Sequence, residues 1–267
     1  MTVEQHLTHR TWPNGGGVVG ILMLDTKFPR IFGDGGNRDT FPFPVLVKRV
    51  VGATPFRVVD QHAEGLLEPF LAGAKELIAA GAHGITTTCG FLAIYQKELA
   101  ERAGVPVAAS SLIQVPLVQR LIPANKKVGI ITADARNLTP RHLQGAGVAL
   151  DTPIIGTEWG KTLTRVFTDK ETEYDYADCE ADLVAAGRKM LEQHPDVGAF
   201  VLECTNMPPF AGALERALGL PVYDFYTLVA WFQSGLKPTQ FPRQGRVKAA
   251  DWQPKVTHGV GAPKAAE

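Results

Sequence analysis

Gly84-Ile-Thr-Thr-Thr-Cys89 and Phe200-Val-Leu-Glu-Cys204 decide the fold, because each is a short β-favouring run that ends on a cysteine. The agreement continues outward from both. Leu99 and Leu214 lie ten residues after their cysteine, Gly104 and Gly219 fifteen, Pro106 and Pro221 seventeen, Val107 and Val222 eighteen. The stretches they belong to read LAERAGVPV and LERALGLPV. Upstream, Val19-Gly20-Ile21 precedes Cys89 by about seventy residues, and Val128-Gly129-Ile130 precedes Cys204 by about seventy-six. A single matched offset is ordinary α/β punctuation. Four of them with a matched strand opening mark an internal repeat.

Each half opens on a β-type run, VVGILML in the first and KVGIITA in the second. Apolar residues at helical spacing then predict a helix over 64–80 and its counterpart over 179–193. Strands alternating with helices imply parallel sheets flanked by helices. The expected architecture is α/β, with two duplicated, pseudo-symmetric halves over 15–115 and 125–232. They join near residues 122–127 and hold the active site in the cleft between them. The C-terminal segment is expected to complete the first half, and 237–267, rich in Pro, Lys and Gly, reads as a tail.

Composition narrows the function. Lys+Arg and Asp+Glu are both 27, so a neutral chain offers no field to draw it to nucleic acid or a membrane surface. The N-terminus lacks a charged-then-apolar leader and no apolar run approaches a bilayer's span, which makes the cytoplasm the default location. Three cysteines, none in a CxxC, make no disulfide framework and no metal site. Cys179, inside a helix among acidic residues, reads as a small buried hydrophobe.

Cys89 and Cys204 read differently. Ligands of open parallel α/β folds bind beyond the carboxyl ends of the strands, where both cysteines fall. A helix N-terminus next in sequence would favour a thiolate and a bound carboxylate. Equivalent repeat positions put one thiol on each side of a shared cleft. One thiolate can then take a proton from Cα while the other thiol delivers one to the opposite face. No metal or pyridoxal motif is present, so hydrogen bonds and helix dipoles must hold the carbanion without a cofactor. The glycine-rich loop Phe32-Gly-Asp-Gly-Gly-Asn37 leads to Pro42 and Pro44 rather than a helix, so it is no phosphate cradle. It is either a flap whose Asn37 reaches the substrate or a structural turn. Glu203, next to Cys204 in an alternating strand, is expected to point away from it and to pair structurally rather than catalyse, unless strand-end geometry turns it.

At these residues the chain resembles the aspartate/glutamate racemase superfamily. Leu202-Glu-Cys-Thr-Asn-Met-Pro208 is similar to its second cysteine motif, GCTHxP, and Thr87-Thr-Cys-Gly90 occupies the place of the first. The resemblance implies Cys89 and Cys204 as paired acid/base residues. It implies Thr88, Gly90, Thr205 and Asn206 as the grip on a substrate carboxylate, with Thr132 on the same side. Asp25 and Thr26 would stand near the substrate amine. Gly90-Phe91 replaces Asn-Thr, and Asn206 replaces His, which weakens the case for glutamate. Phe91, Met207 and Phe210 point to a more apolar pocket.

The first expectation is therefore a cofactor-independent racemase or epimerase of a small carboxylate, such as an amino acid or derivative. The alternatives are a cis–trans isomerase or C–C lyase using one cysteine, as in maleate isomerases and arylmalonate decarboxylases, and a non-catalytic carboxylate clamp. Retention of both cysteines ranks the decarboxylase lower. The resemblance also suggests a homodimer.

Overall fold

The computed structural model describes residues 16–168, 173 and 175–239, so the tail expected from Lys237 onward falls almost wholly outside the described residues. Strands β1 (Val19–Met23), β2 (Val45–Arg49), β3 (Gly84–Thr87) and β4 (Val107–Ala108) form one sheet in the order β2-β1-β3-β4. Strands β5 (Lys127–Thr132), β6 (Ile154–Gly156), β7 (Val197–Leu202) and β8 (Val222–Tyr223) form a second in the order β6-β5-β7-β8. Every pairing is parallel. The two orders are one topology used twice, which is the duplication read from the cysteine offsets.

The helices are α1 (Leu67–Ala79), α2 (Gln96–Arg102), α3 (Val115–Leu121), α4 (Pro140–Gly145), α5 (Leu163–Phe167), α6 (Tyr176–Gln193), α7 (Pro208–Leu218) and α8 (Phe225–Leu236). Helix α1 starts three residues later than its apolar spacing suggests. His62, Ala63 and Gly65 all have positive φ, and this left-handed turn cannot lead directly into a helix. Helix α6 starts three residues earlier, because the Asp175 carboxylate accepts from the Asp178 N–H and caps it.

Strands β1 and β3 are buried along nearly their whole length, as central strands covered on both faces must be. The core crosses the boundary between halves. Val128, Ile130, Ala199 and Val201 of the second sheet pack in one cluster with Leu22, Leu46 and Leu92 of the first half. Helix α8, the last element described, returns to the first sheet, where Phe225 and Val229 pack on Val19, Ile21 and Val45. Each fully buried Phe or Leu is worth about 1.5–3 kcal/mol over leaving it in water. At Gly145 a Cβ would sit 2.2 Å from the Ala93 carbonyl oxygen, so α4 lies directly on the short 3-10 helix Gly90–Tyr95 that follows Cys89. Among the described residues no helix is long and apolar enough to cross a membrane.

Candidate active site

In each sheet the order reverses between the two central strands, β1 and β3 in one, β5 and β7 in the other. A parallel sheet opens a crevice at such a point. The residues leaving the carboxyl ends of all four strands meet in one cleft, and Cys89 and Cys204 both line it. Cys179 lies buried in the second core, away from it. A wider depression at the amino end of β5 is lined by Arg120, Lys126 and the paired Lys127 and Asp151, and holds neither cleft cysteine.

The cleft is pinned across the two halves. The Thr205 hydroxyl donates to the Thr88 carbonyl at 2.8 Å, while the Thr88 hydroxyl accepts from the Leu24 N–H at 3.1 Å. The Gly35 N–H donates to the Thr205 carbonyl at 2.9 Å, which ties the glycine-rich loop to the same corner. Cys204 donates its S–H to Asn206 Oδ1 at 3.5 Å, and Asn206 Nδ2 donates to Asp34 Oδ2 at 2.7 Å. Asp34 is fully buried and pairs with Arg30, whose Nη1 donates to Oδ1 at 3.0 Å. Burial pushes Asp34 above the usual carboxylate range, against the pull of Arg30, the Gly36 N–H and Asn206.

The thiols are not primed as the sequence suggested. The N–H groups of Phe91 and Leu92 do favour a Cys89 thiolate, but burial and then the nearby Glu203 raise its pKa far more. Burial and Glu203 likewise raise Cys204, which also feels Cys89. Both cysteines rest as thiols. The physical reason is that a narrow cleft removes water faster than two N–H groups can replace it.

Glu203 departs from the expected alternation. It leaves β7 at the strand's end, where the backbone turns, and its side chain lines the cleft beside both cysteines. It is fully buried; Oε2 accepts from the Thr132 hydroxyl at 2.8 Å, and Oε1 has no hydrogen-bond partner among the described residues. Burial pushes its pKa up to about 7, against the Thr132 hydroxyl and the Ala133 N–H. A Cβ at Gly90 would lie 2.2 Å from Glu203 Oε1, so glycine at that position is what admits the carboxyl.

Of the residues singled out from the sequence, Cys89, Cys204, Thr26, Thr88, Gly90 and Asn206 line the cleft. Thr205 braces it from behind, and Thr132 holds Glu203 from beneath. Asp25 is turned to the end of β2, accepting from the Gly52 N–H at 2.9 Å and facing Arg49. Asn37 does not reach the cleft: its amide donates to the Arg30 carbonyl and its oxygen accepts from the Asp39 N–H, so the structural turn prevails over the flap. The apolar lining is real but differently made. Phe91 contributes with Phe28 and Phe167, whereas Met207 and Phe210 are buried in the second core.

The sequence reading missed Arg30 and Asp34, which are brought in by a loop with no periodic signal. Arg30 lines the cleft, donates to Thr26 at 2.8 Å and lies 4.3 Å over the Phe28 ring. Its Nε is buried without a partner among the described residues. Glu203 did carry a signal, since it stands where the GCTHxP motif has its first glycine. No group of three or more His, Cys, Asp or Glu among the described residues is arranged for a metal ion.

The model of the Asp/Glu/Hydantoin racemase family matches residues 69–232. A dimethylsulfoniopropionate lyase of Durusdinium sp. clade D is 29% identical over 229 residues, covering 81% of this chain and 74% of that protein. Dimethylsulfoniopropionate lyase 5 of Emiliania huxleyi (strain CCMP1516) is 28% identical over 249 residues; the match covers 87% of this chain but only 47% of that protein. A liganded double mutant of arylmalonate decarboxylase superposes with a TM-score of 0.58 at 17% identity, over 82% of this chain and 92% of the other. Allantoin racemase from Pseudomonas fluorescens does so with a TM-score of 0.51 at 16% identity, over 82% and 90%. At such identities the structures speak for the fold. With the family match running over more than half its length and through both cysteines, the chain belongs to the Asp/Glu/hydantoin racemase family.

Proposed function

We propose that this protein removes the proton beside a carboxylate with a cleft cysteine, and that this drives β-elimination from a small sulfonium carboxylate. The observation that carries the reading is the meeting of Cys89 and Cys204, from equivalent strand ends, in a cleft that also holds an arginine and three phenylalanines. The lyase alternative gains from the curated relatives, here with a C–S rather than a C–C bond.

In dimethylsulfoniopropionate, Cα lies between the carboxylate and the carbon bearing sulfur. A thiolate takes one Cα proton, and the C–H electrons form the Cα–Cβ double bond. The Cβ–S bond breaks with its electrons on sulfur, releasing neutral dimethyl sulfide and leaving acrylate. The cysteine, now a thiol, returns its proton to solvent. Arg30, which lines the cleft, can attract the substrate carboxylate and the charge that grows on it as Cα is deprotonated. Aromatic rings favour a sulfonium as they favour other soft cations. Proton NMR of the protein with dimethylsulfoniopropionate in heavy water tests this directly. Vinyl signals of acrylate with dimethyl sulfide support it; an unchanged substrate at millimolar concentration rejects it.

Racemisation of a small amino acid or derivative by two-base transfer is the second reading, favoured by the presence of a thiol from each half. It predicts deuterium entering Cα of a chiral carboxylate with no double bond formed.

A further inference from the structure

We propose that Glu203 shares a proton with the cleft thiols, its carboxyl receiving the proton from whichever of Cys89 and Cys204 is to act as base. The geometry supplies the reason. Glu203 Oε1 is buried, has no partner among the described residues, and reaches past Gly90, the residue next to Cys89. Thr132 anchors Oε2 and so keeps the other oxygen turned to the cleft. The adjacent residue of its own chain is Cys204. A buried carboxyl close enough to both thiols to act on their charge, with one oxygen left without a hydrogen bond among the described residues, is placed to exchange a proton with them.

The exchange balances without a co-reactant. A carboxylate beside a thiol becomes a carboxylic acid beside a thiolate: the S–H bond breaks, an O–H bond forms, and the net charge is unchanged. Such an exchange removes the like-charge penalty that an ionised Glu203 imposes on both sulfurs. The active form is thus one proton arrangement of a coupled group rather than a cysteine titrating alone. The other charges that line the cleft are Arg30, paired with the buried Asp34 that also acts on Cys204, and Asp134, paired with Arg136. Glu203 lacks such an ion pair among the described residues.

Coupling leaves a signature in pH. Below the carboxyl's ionisation near 7, the thiolate form beside a protonated Glu203 grows about tenfold per pH unit. Above it the group holds one proton, the ratio of its two arrangements no longer changes with pH, and thiolate reactivity levels off. A neutral residue at 203 abolishes the levelling, and the thiol then rises unbroken toward its own ionisation.

The test is the rate of iodoacetamide alkylation at Cys89 and Cys204, read by peptide mass spectrometry on the full chain from pH 5.5 to 9.5. It needs no substrate, so it stands or falls apart from the elimination reading. The wild type is expected to level near pH 7; Glu203→Gln is expected to keep rising and to exceed the wild type at pH 9 by about tenfold or more. Thr132→Val, which keeps the carboxyl but removes a donor to its anion, is expected to move the levelling to higher pH. It carries the test if Glu203→Gln does not fold. A wild-type rate that climbs unbroken through pH 9, or variants that level at the wild-type pH, overturns the proposal.

Discussion

The Thr205 hydroxyl donates to the carbonyl of Thr88 at 2.8 Å, joining the residue after one cysteine to the residue before the other. The pseudo-two-fold relation of the halves is thereby fixed at the point where the chemistry is placed. Thr205→Val removes the donor and leaves a buried carbonyl unsatisfied, which costs about 1–3 kcal/mol. Urea unfolding of this variant should show that loss, while Thr205→Ser, which keeps the hydroxyl, should stay within about 1 kcal/mol of the wild type.

Gly90→Ala tests the close approach of the two cysteine segments. The new methyl would sit 2.2 Å from Glu203 Oε1 and 2.4 Å from the Glu203 carbonyl oxygen, and the second contact is with backbone that cannot rotate away. Overpacking of this kind typically costs about 1–3 kcal/mol. A lowered melting temperature with turnover reduced at least tenfold is expected. A variant with wild-type stability and rate would mean that the segments are not so close.

Stability should respond to pH through two buried groups of opposite sign. His142 lies against Phe91, accepts the Thr139 N–H on Nδ1 at 3.1 Å, and is pushed down to about 4 by burial and by His62. The folded state thus binds its proton less readily than the unfolded chain. His142 adds stability above about pH 6.5, and that contribution, about 3 kcal/mol in full, drains away as pH falls to 4. His142→Gln, which can still close the cap with Thr139, should flatten acid denaturation over that window. Glu203, raised from 4.5 to about 7, works the other way: its stability is present below pH 4.5 and is lost as pH rises through 7, again by about 3 kcal/mol. Chemical denaturation of Glu203→Gln should therefore show its stability relative to wild type improving from pH 5 to pH 8. A gap that stays constant across that range contradicts the burial of an ionisable carboxyl.

The duplication was legible because it is written in spacing. Leu99 with Leu214 and Pro106 with Pro221 hold the same place in the same topology, and the cysteines follow from them. The lining was less legible. Arg30 and Phe28 sit on an irregular loop, so only tertiary packing reveals that they face Cys89. Met207 and Phe210 looked like pocket residues by proximity in sequence, yet the turn after Cys204 sends them into the core. Glu203 has the structural pairing expected of it, with Thr132, and its place beside the cysteines comes from the strand's end, where alternation no longer holds. Thiol acidity was misjudged: helix-end N–H groups can be read from sequence, whereas the desolvation that outweighs them cannot.

The proposed reaction rests on the two cleft cysteines, one from each half, performing the proton chemistry. The most direct measurement is dimethyl sulfide release from dimethylsulfoniopropionate by the wild type and by Cys89→Ser and Cys204→Ser, each checked for folding by circular dichroism. A serine hydroxyl is too weak an acid to replace the thiol, so loss of the base should lower the rate by about 10²–10⁴-fold in at least one folded variant. Wild-type release that persists in both folded variants would contradict that role and move the chemistry to another group in the cleft.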